Sequence, residues 1–187
     1  NSADAINPDD TAPKLLRAYA TDSVNLVLVF NESVDSTLAS VVTNYSISDG
    51  VGTPVNATAV SPLFDRISLR LNGASALLRN KIYIITVTGV TDCAGNVIGT
   101  TNTARVGLYE RTDSFNIVVN EILFNPKSTG NDYVEVYNRS NKILNLKNVY
   151  IANRNSTGII SSIGQLSVED HLFFPKDFMV ITESKSL

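Results

Sequence analysis

Runs of β-forming residues recur down this chain, each closed off by Gly, Pro, Asn, Asp or Ser. No stretch has the length and spacing of a sustained helix. In the first 110 residues the runs are LLRAYA (15–20), VNLVLVF (24–30), NYSIS (44–48), VNATAV (55–60), RISLRL (66–71), KIYIITV (81–87) and TARVGLY (103–109). Turn signals fall roughly every 8–15 residues, the rhythm of a β-sandwich rather than of a parallel α/β sheet. Period-two alternation supports this. Ile67, Leu69 and Leu71 are expected on one face, with Arg66, Ser68 and Arg70 on the other. The segment 35–44 has room for a helical turn and no more. The predicted fold class is all-β.

A polar interruption, YERTDSFN (109–116), separates two apolar strand patterns and predicts two domains, 1–110 and 111–187. After it come NIVVNEILF (116–124), DYVEVYN (132–138), KILNLKNVYIA (142–152), GIISSIGQL (158–166) and FMVITE (178–183). Charge divides unevenly between the domains. Residues 1–110 carry 7 Lys/Arg against 10 Asp/Glu, a balance of −3, while 111–187 carry 8 of each. Neither domain has the positive excess on which non-specific nucleic-acid binding depends. From Arg139 to Arg154 four basic residues, Lys142 and Lys147 among them, follow one another without an acid. The stripe reads better as a solvated face than as a polyanion site.

Cys93 is the single cysteine, so no intrachain disulfide and no cysteine-based zinc site can form. Apolar runs such as LVLVF (26–30) are too short to span a bilayer as a helix. The first ten residues lack the basic and apolar regions of an export signal, so an exported protein would carry its signal elsewhere.

The first domain resembles the bacterial Ig-like domains of the S-layer-protein (SbsA) type. The matching stretches are DTAPKLLRA (10–18), VNLVLVFNESVD (24–35), TNYSI (43–47) and YIITVTGVTDCAGNVI (83–98). In the last of these, Gly95-Asn96 is expected to supply turn conformations with positive φ, and Asp92 to accept hydrogen bonds from the turn's N–H groups. The second domain is similar to the start of a lamin-tail domain, carried by IVVNEILFNP (117–126), DYVEVYNRSNKILNLKNVYIA (132–152) and LFFPKDFMVIT (172–182). That resemblance implies two tandem Ig-like β-sandwiches, the second lacking its final strands and leaving an edge open to strand addition.

Carboxylates supply the candidate sites. Glu121, Asp132 and Glu135 surround the turn at Asn125-Pro126. Pairing Val134 with Ile122 would set Glu135 opposite Glu121, whereas pairing Val134 with Phe124 would part them; the sequence leaves both registers open. Asp10, in NPDDTAP, could approach Asp92 at one end of a sandwich. Ca²⁺ is the ion these oxygen donors would suit, but at each position a structural role is the preferred reading and no cofactor is expected. His171, the single histidine, has no nucleophile motif to serve.

These observations favour a non-catalytic structural, adhesion or interaction module of a larger secreted or cell-surface bacterial protein, meeting a protein or glycan partner. Accessory domains of an extracellular hydrolase, such as a nuclease or phosphatase, are the alternative. Carbohydrate binding is the second, weakened by the absence of Trp.

Overall fold

A computed structural model describes residues 9–124 and 130–182. The chain divides into two compact units, residues 1–108 and 109–187, and among the described residues the regular structure is strand apart from four short 3-10 turns. Among the described residues no helix is long and apolar enough to cross a membrane.

In the first unit, β1 (Leu15–Ala20), β2 (Asn25–Phe30), β4 (Asn56–Ala59) and β5 (Arg66–Arg70) form an antiparallel sheet in the order β1-β2-β5-β4. A second sheet has the order β3-β6-β7, from Tyr45–Ile47, Tyr83–Val87 and Thr103–Val106. The alternation read from 66–71 is realised: Ile67, Leu69 and Leu71 are buried, and Leu26 and Leu28 face them from the neighbouring strand. These side chains share one core with Tyr45, Ile47, Tyr83, Ile85, Val87 and Val106 of the other sheet, which makes the unit a β-sandwich. Truncating a fully buried leucine here, Leu28 for example, would cost about 2–5 kcal/mol.

Two large tyrosines carry polar groups into that core and both are satisfied. The Tyr45 hydroxyl donates to the Ala39 carbonyl at 2.6 Å, and burial pushes its pKa up. Tyr83 accepts the Leu78 N–H at 3.0 Å. The segment 35–44 becomes two 3-10 turns, Leu38–Ser40 and Val42–Asn44, so its β-branched residues never build a longer helix.

In the second unit, β8 (Ile117–Leu123), β9 (Tyr133–Asn138) and β14 (Phe178–Thr182) form a sheet in the order β14-β9-β8. Two short strands, β10 (Leu144–Asn145) and β13 (Leu172–Phe173), pair with each other, as do β11 (Tyr150–Arg154) and β12 (Ile160–Gln165). The core of this unit gathers Val136, Leu144, Leu146 and Phe173, with Ile117, Val134, Met179 and Ile181 packed around it.

The run 142–152 breaks at Asn145, within its Leu-Asn-Leu stretch 144–146. Its side chain accepts the Lys147 N–H, capping the 3-10 turn Leu146–Asn148, and the chain resumes only at Tyr150. Asn138, at the end of β9, is completely buried. Its Nδ2 donates to the carbonyls of Lys142 and Phe173, and its Oδ1 accepts from the N–H and hydroxyl of Ser140. One amide thus ties β9 to the two segments that bring Leu144 and Phe173 into the core.

Candidate functional site

The turn after β6 is built around Asp92, which is 3% exposed. Its Oδ1 accepts the N–H groups of Ala94 and Asn96, each at 2.8 Å, and its Oδ2 accepts the Asn96 side chain at 2.7 Å. Burial pushes this carboxyl's pKa up. The bonds from the Asn96 side chain and from the N–H groups of Asn96, Ala94 and Gly95 outweigh that, so the net shift is downward. Gly95 has φ 94°, a region open to glycine, whereas Asn96 contributes its side chain rather than a positive φ. Cys93 lies exposed on the same turn.

Asn96 also reaches outward. Its Nδ2 donates to the main-chain carbonyl of Asp9 at 2.7 Å, and so holds residue 9 beside the turn. Carboxylate oxygens of Asp9, Glu32 and Asp92 then lie within 4.8 Å of one another. The sequence pointed to Asp10, which is exposed and outside this trio, because the Asn96 contact fixes its neighbour instead. Glu32 joins from the turn after β2, and no local sequence signal links it to Asp92, sixty positions away. An all-oxygen set is what a hard cation takes, yet each acid is already engaged. Asp9 accepts the Thr11 N–H, Glu32 accepts the Asn31 amide, and Asp92 holds its own turn.

In the second unit the register is the one that pairs Ile122 with Val134, so Glu121 stands opposite Glu135. A β-bulge lies between Val119 and Glu121, which leaves Asn120 as the extra residue. The two carboxylates are served by separate neutral donors. Tyr133 donates its hydroxyl to Glu121 at 2.7 Å, and Asn120 donates its amide to Glu135 at 2.6 Å. The hydrogen bond to Glu121 raises the Tyr133 pKa, with partial burial and the two negative charges adding to it. Asn125 and Pro126 lie outside the described residues.

The basic stripe disperses on folding. Lys142 meets Asp113 at 2.5 Å, Lys147 meets Asp170 at 2.9 Å, and Arg154 donates to the Gly158 carbonyl. Pairing with Lys142 lowers the Asp113 pKa and pairing with Asp113 raises that of Lys142. His171 is half-buried just before β13. Its N–H donates to Asn145 and its carbonyl accepts from Leu146, so its backbone serves the junction of β10 and β13. On the first unit's four-stranded sheet, a shallow hollow of about 790 Å³ is lined by polar residues, Asn25, Asn56, Arg70 and Asn72 among them, and by apolar Val24, Val55 and Leu71.

Among the solved structures that match, three show a weak resemblance to the chain. A crystal structure of the S-layer protein rSbsC(31–844) aligns at TM-score 0.46 and 18% identity, covering 80% of this chain and 22% of that one. The N-terminal part of the bacterial S-layer protein SbsC aligns at 0.47 and 15%, covering 95% and 42%. Domains 1–6 of surface layer protein SbsC align at 0.47 and 18%, covering 95% and 24%. The chain thus spans 22–42% of the length of these proteins. No curated protein matches it. The model of the bacterial Ig-like domain matches residues 3–116, well over half of the sequence and the whole of the first sandwich. The chain belongs to the bacterial Ig-like domain family.

Proposed function

We propose that this chain is a non-catalytic structural and interaction module of a larger bacterial cell-surface or secreted protein. The observation that carries the reading is the family match over residues 3–116, on a sandwich whose core runs unbroken between two sheets. The closer likeness of the first unit to S-layer-type domains, and of the second to an incomplete lamin-tail domain, belongs to the same proposal and rests on the residue patterns at 83–98 and 117–152. In this reading the sandwich acts as a stiff spacer and the second unit presents a contact surface. The facing acids Glu121 and Glu135 accept hydrogen bonds from Tyr133 and Asn120.

Two experiments test the proposal. Antibody raised to the chain should label intact producing cells or their medium, and purely cytoplasmic signal would contradict it. The purified chain should show no turnover of nuclease, phosphatase or glycosidase substrates. Turnover that disappears in Glu121→Gln or Glu135→Gln would overturn it.

Carbohydrate binding is a second reading, favoured by the hollow across β2, β5 and β4. There Asn25, Arg70 and Asn56 share one row of the sheet. A glycan array on which Arg70→Ala abolishes a reproducible signal would promote it.

A further inference from the structure

The inner face of the second unit's sheet is covered unevenly. Directly paired residues of antiparallel strands point the same way, so Ile117, Val119 and Ile122 share the face of Asn138, Val136 and Val134. On β9 that row is in the core, and on β14 Met179 and Ile181 pack against it. On β8 only Ile117 does so, while Val119 and Ile122 stay 54% and 57% exposed. Among the described strands, β8 pairs on one side only, and it presents seven residues as an edge. A strand edge with uncovered inward apolar side chains is a template for another strand.

The opposite face of β8 says what that strand carries. Glu121 points outward beside Glu135, and the donors that serve them, Tyr133 and Asn120, are both neutral. Among the described residues no cation pairs with either acid. Two like charges on neighbouring strands repel, and a cation on the next strand along would relieve them. A second copy of this sheet does not supply it, because its edge strands, IVVNEIL and FMVIT, contain neither Lys nor Arg.

We infer that β8 is the docking edge for an extended segment of a partner protein in which apolar and basic residues alternate, with an apolar side chain set against Ile122 and a Lys or Arg against Glu121. The added strand takes up the backbone groups of β8 that no described strand pairs. Its apolar residues extend the inner face over Val119 and Ile122, and its cation sits beside the two carboxylates. The bulge at Asn120 fixes the register, since it alone sets the inward Val119 and the outward Glu121 two positions apart.

The inference rests on the interaction-module reading and narrows it to one edge, but its test leaves the activity and labelling tests of that reading untouched. The probe is a capped peptide, Ser-Thr-Val-Lys-Val-Thr-Ser, at millimolar concentration with the whole chain, set against the same peptide with Glu in place of Lys. Amide hydrogen exchange resolved by NMR is the readout. The lysine peptide should slow exchange along 117–123 and bind about three- to tenfold more tightly than the glutamate peptide. In Glu121→Lys that order should reverse. Protection by neither peptide, or equal protection by both, would overturn the inference. Protection of β8 that grows with protein concentration in the absence of peptide would overturn it too, by making a second copy the occupant.

Discussion

Replacing Asp92 by Asn keeps the shape of the side chain and removes its charge, which isolates what the charge contributes. The folded carboxyl titrates below its ordinary value of 3.8. Its stabilisation is therefore complete above that value and disappears as pH falls through the folded one. Asp92→Asn should cost about 1–2 kcal/mol at neutral pH. It should also flatten the acid limb of melting temperature against pH below about pH 4, where the parent protein loses this contribution. An unchanged acid limb would mean that other carboxyls carry it. This residue's role was legible, because Asp ahead of a Gly-Asn turn has few other uses. Its companions were so only in part. The approach of NPDDTAP to this turn was an expectation drawn on Asp10, whereas the residue that Asn96 holds there is Asp9, and no spacing rule links Glu32 to Asp92.

At the scale of elements, most strands were visible because buried β-branched runs and turn residues agree on where each begins and ends. The interruptions have local causes. In 142–152 the consecutive burial of Ile143 and Leu144 breaks the alternation a single strand requires, and Asn145 supplies the cap that replaces it. β13 went unseen because two residues are too few to show a period. The Glu121–Glu135 register was undecidable without tertiary packing, since both pairings keep valines and isoleucines on one face. The turn after β6 also makes a graded prediction. Gly89 has φ 66°, and a Cβ there would lie 3.0 Å from Oδ1 of Asn44. Asn44 cannot retreat cheaply, because its side chain donates to Leu38 and its carbonyl accepts from Thr88. Gly89→Ala should lower stability by about 2 kcal/mol, seen as a shifted urea midpoint with an unchanged slope. Gly99, with open space around it, should tolerate alanine within about 0.5 kcal/mol.

Across the whole molecule the two units differ in how much they bury. The first closes two sheets over one continuous core, whereas the buried cluster of the second gathers around Val136, Leu144, Leu146 and Phe173. The β11–β12 hairpin is exposed along nearly all its length, with Ile160 and Ile163 uncovered, and a two-stranded ribbon is marginal by itself. Limited trypsin digestion should therefore cut first after Arg154, beside the exposed hairpin tip, and leave a persistent fragment containing the first sandwich. Early cuts after Arg66 or Arg70 in β5 would contradict this ordering. The difference was only half legible. Both halves show strand periodicity, but the sequence does not state how many of those strands find a second layer to cover them.

The buried amide of Asn138 bears on the choice of host in which this protein is produced. Asn138-Arg139-Ser140 satisfies the Asn-x-Ser rule for N-linked glycosylation, and a eukaryotic secretory pathway could modify it before the chain folds. The nitrogen that would carry the sugar is the one that donates to Lys142 and Phe173, on a side chain with no exposed surface. A glycan there and a folded second unit exclude each other, so material secreted from yeast or mammalian cells would divide into unmodified folded protein and modified protein whose second unit has not closed.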